Sequence, residues 1–441
     1  MFSCGAFELG NVSINFLILH NMGSRLRWLA SVADIELALP RYAPEHQYLV
    51  HNASLPIPEF IKDIRYDAII VNSTFIELLG TPRGFEKIKK DYAFIKNNPA
   101  FTIALPQDDY WCSEVRDEWF TEFGIKRVHP VCSKEHWGIF YPRYMASGRE
   151  ISQGYTGYIT PKLRQRAAFP KSYDLRRYNV VYRAKDRPGY PNRIGNLKGQ
   201  IGARFALAFV DQPLLLDIST NPKDAITGDG WLDFVENSKA MIGSNSGSSL
   251  LVRNHKMALK VLEFMLKYPK APYEEIEQAC FPGEDGRHEF TAISPRNFEA
   301  GLLNTLQLLV PGPYSNILSQ YEHYFPLTED CSNKHEVMTV LKDMNEQTKI
   351  AGRCRDALLS CEAIQVESFV NEIVSSISHG LPANHKSMAS EQFLEIIHRH
   401  KNATSINEKY LDAIESVKQF AIKTLPSSVI NDIKRLRKKY L

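Results

Sequence analysis

The chain has 441 residues, 44% of them apolar, with 53 basic against 50 acidic side chains for a formal net charge of +3. At about 150 residues per domain this length predicts two or three domains, and the ordinary composition excludes a globally disordered or fibrous chain. The near balance of charge excludes nucleic-acid binding by bulk electrostatics.

Seven cysteines are scattered at positions 4, 112, 132, 280, 331, 354 and 361, with no C-x-x-C pair. An odd, dispersed set disfavours zinc ribbons and disulfide frameworks and fits a reducing compartment. Met1–Gly10 carries Glu8 and no basic residue, so no signal peptide is expected. No run of 18 apolar residues occurs, so no membrane span is expected and the cytoplasm is the default location.

In chain order, Ile14–His20, Gln47–His51, Tyr66–Asn72 and Phe101–Leu105 read as buried strands, and Lys126–Cys132 as an edge strand. Helical patterns lie between them at Leu26–Leu39, Pro82–Asn97 and Cys112–Glu122. Strands apolar on both faces and separated by helices predict a parallel sheet clothed on both sides. After the basic stretch Pro161–Lys171 a second series begins. Its strands are Tyr178–Arg183, Leu214–Ile218, Lys239–Gly243 and His323–Leu327. Its helices are Asn196–Phe209, Gly230–Asn237, Met257–Lys267 and one opened by Ser294-Pro295 that is expected to run to about Leu309. Asn333-x-x-Glu336 resembles a capping box for a further helix through Met344. The region from Ser387 onward reads as helices alone. The predicted fold class is α/β: two Rossmann-like, doubly wound domains facing one cleft, 1–165 and 166–385, followed by C-terminal helices over 386–441.

In open α/β sheets, ligands bind beyond the carboxyl ends of the strands. That rule nominates five places. His20-Asn21-Met22-Gly23-Ser24 follows the first strand, where Gly23 lets backbone approach a ligand; the alternative is a plain turn. No G-x-G-x-x-G occurs, which excludes the dinucleotide fingerprint. Asp108 and Asp109, beside Tyr110 and Trp111, can bind a sugar or act as a base, or else cap the next helix. Arg183, followed by Lys185, Arg187 and Arg193, suits a diphosphate, the alternative being a solvated basic loop. Gly243-Ser244-Asn245-Ser246-Gly247-Ser248-Ser249 makes a small-residue anion cradle without the lysine of a Walker A loop. Last come Arg296 and Glu299 in the first turns of the Ser294-Pro295 helix, with Gln307 eight residues past Glu299.

The two halves and the S-P-x-x-F-E-A segment resemble GT-B glycosyltransferases, in particular retaining enzymes with an E-x7-E element. Here Gln307 stands where the second Glu is expected. The stretch Asp217–Asp330, through DISTNPKDAITGDGWLDF, GSNSGSSLL, TAISPRNFEA and YEHYFPL, also resembles uncharacterised glycosyltransferase-like proteins of bacterial surface-polysaccharide clusters. The resemblance implies a glycosyltransferase using a nucleotide-sugar donor and a glycan or lipid-linked acceptor. Arg183 and Arg187 would bind the donor diphosphate. Gly23, Ser244, Asn245, Ser246, Gly247, Ser248, Arg296 and Gln307 would complete the donor pocket, and Glu299 would face the donor. Asp108, Asp109 or His20 would be the acceptor base. Neither Asp229-Gly230-Trp231 nor Asp108-Asp109 matches a metal-binding D-x-D, so no metal and no cofactor beyond the donor is expected.

From Val429 to Leu441, apolar Ile430, Ile433, Leu436 and Tyr440 alternate with Lys434, Arg435, Arg437, Lys438 and Lys439. An amphipathic basic helix of this kind suits peripheral contact with an anionic membrane surface; the alternative is a solvated helix. Two other functional readings share the fold: a catalytically silent subunit that binds a partner, and a nucleotide-sugar epimerase or hydrolase.

Overall fold

A computed structural model describes residues 13–184, 192–226, 228–269, 271–382 and 384–424. Lys185, Arg187 and the basic segment 429–441 lie outside these described residues. Strands β1 (Asn15–His20), β2 (Gln47–Asn52), β3 (Ala68–Val71), β4 (Phe101–Ala104), β5 (Arg127–Val128) and β6 (Glu150–Ile151) form one sheet in the order 2-1-3-4-5-6. Every pairing in it is parallel. β7 (Tyr178–Arg183), β8 (Leu216–Ser219), β9 (Ser238–Gly243), β12 (Leu306–Leu309) and β13 (Phe325–Pro326) form a second parallel sheet in the order 13-12-9-7-8. The Ser/Gly stretch is not simply a loop. β10 (Ser246–Ser248) pairs antiparallel with β11 (Phe290–Ala292) in a short ribbon.

The α/β class follows from burial on both strand faces. Phe16 and Ile18 of β1 face one helical layer with Ala68, Ile70 and Ile103, while Leu17 and Leu19 face the other with Ile69 and Val71. The first layer is completed from far along the chain: Val366, Phe369, Val370, Ile373 and Ile377 of the Val366–Gly380 helix pack against β1, β3 and β4. The long helix Ser390–Thr424 then returns over β2, burying Phe393 and setting His400 Nε2 3.1 Å from His51 Nδ1. Asp67 fixes the start of this return. Its carboxylate accepts from the Asn15 N–H (2.7 Å) and meets His385 Nε2 at 2.6 Å.

The chain passes between the halves twice, and the two passages are bonded together. The Ile159 N–H donates to Ile364 O (2.8 Å), and the Val366 N–H to Ile159 O (3.1 Å). In each sheet the chain first adds a strand on one side and then switches to the other, at β1/β3 and at β7/β9. The second switch sets Arg183, at the end of β7, beside Gly243 at the end of β9.

Three expectations are corrected. The Ser294-Pro295 helix stops at Leu302, and Leu306–Leu309 is strand β12. Asn304 takes a left-handed conformation (φ +55°), while the Thr305 and Asn304 N–H groups donate to Ala300 O and Gly301 O in a Schellman motif. The apolar run Leu306–Leu309 is a central strand, which periodicity does not separate from a buried helix. Lys126–Cys132 contributes only Arg127–Val128 and is not the edge, because β6 pairs beyond it. Asn333 forms no capping box: its side chain accepts from the Thr328 N–H (3.1 Å) and donates to Pro326 O (2.9 Å).

Two buried charges yield expectations for stability. Arg176 donates to Lys171 O, Ser238 O, Leu303 O and Thr305 Oγ1, joining the linker to the second sheet. Arg176→Met leaves these acceptors without their donor and lowers unfolding free energy by at least about 3 kcal/mol in urea titrations. Glu36, at the end of the Ala30–Glu36 helix, accepts from Ser73 Oγ (2.8 Å), the Thr74 N–H (2.7 Å) and Thr74 Oγ1 (2.7 Å). Burial outweighs these bonds and pushes its carboxyl up from 4.5 to about 7. Between those values the folded chain holds a proton that the unfolded chain releases, so this group's contribution falls as pH rises through the window. Glu36→Gln removes that slope and gains about 1–3 kcal/mol relative to the parent on crossing it, as measured by urea unfolding on either side.

Candidate functional site

A cleft of about 510 Å³ lies where the C-terminal ends of the second sheet meet the first half of the chain. Leu29, Ala30, Ser31 and Asp34 line one wall. Arg183, Trp231, Arg296 and Glu299 line the other, and Tyr158 with Val366, beside the paired crossings, closes the floor. Gly157 is held so near the Ser294-capped helix that an added Cβ would stand 2.9 Å from Pro295 Cγ.

Local sequence builds the catalytic-looking wall. Ser294 caps the Pro295–Leu302 helix, with Pro295 in its first turn and Asn297 Oδ1 accepting from the Ser294 N–H (3.0 Å). This cap sets Arg296 at the helix start and turns Glu299, one turn on, toward the Asp229–Glu236 helix. The Trp231 indole N–H donates to Glu299 Oε2 at 2.6 Å. The Arg296 guanidinium lies 5.1 Å from the centre of the Trp231 ring, and its Nη1 donates to Arg183 O. Arg296 Nε and Nη2 make no hydrogen bond among the described residues. Burial raises the Glu299 carboxyl above its ordinary value, against the opposing pull of the Trp231 hydrogen bond and of Arg296. At the rim Lys162 and Asp229 pair at 2.7 Å.

The structure brings Arg183, Arg296 and Glu299 together but gives Arg183 a different posture from the expected one. Its Nη2 donates to Asp217 Oδ1 (2.6 Å), its Nη1 to Asp217 O and Tyr182 O, and its Nε to Asp224 O, with the guanidinium over the Phe234 ring. Asp217 and the surrounding carbonyls hold it against the wall. Among the described residues, the free guanidinium donors at this end belong to Arg296.

Of the Ser/Gly stretch, Ser244 and Ser246 line a small recess shared with Arg183, Trp231 and Arg296, where Lys198 Nζ donates to Ser246 Oγ (3.3 Å). The others are engaged elsewhere. Asn245 Nδ2 donates to Pro311 O, Ser248 Oγ donates to Leu250 O, and Gly247 (φ +130°) presses on the Phe290 carbonyl.

Five further residues stand apart from the cleft lining. Gln307, on β12, is buried: its Oε1 accepts from Asn297 Nδ2 (2.8 Å), and its Nε2 donates to Asn297 O (3.2 Å) and Cys354 Sγ (3.3 Å). It orients the residue that closes the cap of the Glu299 helix, rather than a donor hydroxyl. Asp109 is fully buried, accepting from Tyr141 Oη (2.6 Å) and the Val131 and Cys132 N–H groups. Burial raises its carboxyl, and its bonds tie the β4 loop to the chain after β5. Asp108 (φ +50°) accepts from Tyr110 Oη. Gly23 (φ +71°) lines a second cavity, of about 440 Å³, beneath the Ser390–Thr424 helix. His20 shares that cavity, and burial lowers it to about 4.

Trp231, Asp34 and Lys162 are the cleft residues that sequence reasoning missed. Trp231 opens the helix after β8, so the strand-end rule names its loop. Asp34 sits mid-helix on the opposite wall and carries no local signal.

No family model and no curated protein matches the sequence. Among solved structures the chain is similar to Anabaena HepE in complex with UDP-glucose, at 10% identity over 83% of this chain and 100% of that one, with a TM-score of 0.44. It is also similar to T4 phage BGT in complex with UDP and Mn2+, at 11% identity over 82% and 99%, with a TM-score of 0.44. The sucrose-phosphate synthase of Thermosynechococcus elongatus gives 9% identity over 83% and 99%, with a TM-score of 0.45.

Proposed function

We propose that the chain is a glycosyltransferase moving a sugar from a nucleotide-sugar donor to a glycan or lipid-linked acceptor. The observation that carries this reading is the triad of Arg296, Glu299 and Trp231 at a capped helix N-terminus, in a cleft open to both halves. Sugar transfer breaks the bond between the anomeric carbon and the diphosphate oxygen, and forms one from that carbon to the acceptor oxygen. The acceptor proton leaves with the diphosphate or to a nearby base. The leaving group gains negative charge, which the Arg296 guanidinium and the helix start stabilise. The reacting carbon gains positive charge, which an ionised Glu299 stabilises from the same wall. Asp34 and Ser31, on the facing wall, are the polar groups offered to an acceptor. The diphosphate charge is assigned to Arg296 rather than to a metal, and no three His, Cys, Asp or Glu side chains converge among the described residues. Turnover in the presence of a chelator tests that assignment and is expected to persist.

A melting-temperature panel with UDP, GDP, CMP, ADP and dTDP tests the donor site. A ligand at 100 times its Kd adds about 2.7 kcal/mol to the native state. One nucleotide is expected to raise the melting temperature, and Arg296→Ala to abolish most of the shift. Glu299→Gln is expected to keep it while lowering turnover about 10²–10³-fold. The silent-subunit reading, which the engaged Arg183 favours, predicts instead no shift with any of the five nucleotides and no transfer.

The pH profile gives an independent readout. If the ionised Glu299 is the working form, its raised carboxyl in the free chain places the acid limb of kcat/KM above the ordinary carboxylate range, with activity lost as pH falls through it. Glu299→Gln is expected to flatten that limb.

A further inference from the structure

The second half of the Ser390–Thr424 helix separates its charges. Its acidic residues turn inward onto the Arg25–Arg27 turn: Glu408 pairs with Arg25 (3.5 Å), Glu415 with Arg27 (3.4 Å), and Asp412 Oδ1 accepts from Ser24 Oγ (2.6 Å). The opposite side bears Ile406, Tyr410, Val417 and Phe420, exposed at 77, 68, 68 and 68%. Their spacing of four, seven and three residues, with Ala413 between, makes one continuous apolar stripe. Lys409 and Lys418 flank it, Lys418 lying 3.7 Å from Glu415 Oε2. From residue 401 onward, the carboxylates of this helix engage the Arg25–Arg27 side, with Glu408 partly exposed there, while Lys401, Lys409 and Lys418 are exposed. The sequence then continues into 425–441, which holds Lys434, Arg435, Arg437, Lys438 and Lys439 against Asp432 alone.

We infer that this helix face docks on an anionic lipid bilayer, lying in the interface with Ile406, Tyr410, Val417 and Phe420 toward the acyl region. Sequestering the carboxylates against Arg25 and Arg27 leaves an outer surface of apolar groups edged by ammonium groups, the complement of a negatively charged headgroup layer. A second copy of the chain fits this face poorly, because the carboxylates of this half of the helix are already paired on the Arg25–Arg27 side and lysine would meet lysine. The Arg25–Arg27 turn under the helix leads directly into Leu29 and Ala30 of the cleft wall. The inference stands on the helix and does not depend on sugar transfer.

Vesicle flotation of the full chain tests it, with phosphatidylcholine vesicles with and without phosphatidylglycerol. The parent is expected to float with the phosphatidylglycerol vesicles only. Lys409→Gln and Lys418→Gln each weaken partitioning about fivefold, equivalent to about 1 kcal/mol. The combined variant Ile406→Ser, Tyr410→Ser, Val417→Ser, Phe420→Ser is expected to lose flotation while keeping the parent's circular dichroism and any nucleotide-induced melting shift. Absence of flotation with anionic vesicles overturns the inference, as does flotation that survives the combined variant. So does a dimer, seen by light scattering, that the combined variant dissolves.

Discussion

The two crossings between the halves, hydrogen-bonded to each other through Ile159, Ile364 and Val366, are the constraint on which the rest depends. A parallel sheet must cover both faces, and the first sheet obtains part of its cover from Val366–Gly380, beyond the second sheet in the chain. The polypeptide is thereby obliged to leave the first half and come back to it. Because departure and return share one place, they form the floor of the cleft, and Gly157 brings that floor against Pro295. The position of the Glu299 helix relative to the first half is fixed by this junction.

The same economy of contacts organises the active wall. Two arginines end up side by side there, with unequal freedom. Arg183 is bound by Asp217, Asp224 O and two more carbonyls, and offers its own carbonyl to Arg296. It serves as a rigid bracket against which Arg296 is positioned. Behind both, the chain of hydrogen bonds from Cys354 through Gln307 and Asn297 to Ser294 holds the helix start in place. A glutamine fits that internal task well, being a donor and an acceptor without a charge to desolvate.

Much of this architecture was legible in the residues. β1, β3 and β4 are short runs apolar on both faces, and their burial in a parallel sheet needed nothing beyond that pattern. Ser294-Pro295 announced a helix start, because capping is a local property of two or three residues. The end of that helix was not legible: it rests on Asn304 entering the left-handed region, and Leu306–Leu309 has an apolar run compatible with either structure. The strand-end rule found Arg183, Ser244, Arg296 and Glu299. It also nominated Asp109, since a carboxylate after a strand reads the same whether it points to solvent or into a cage of N–H donors. Asp34 faces Glu299 only through the return of the chain, and no window of sequence contains that.

The borrowed helix has a consequence during synthesis. The strands of the first sheet, complete by Ile151, leave the ribosome well before Val366–Gly380 can follow. At about 5–20 residues per second, that interval lasts roughly 10–45 s. Throughout it Phe16, Ile18, Ile70 and Ile103 lack their final cover. The nascent first half then exposes part of its own core, and its final packing waits on the translation of the far side of that core.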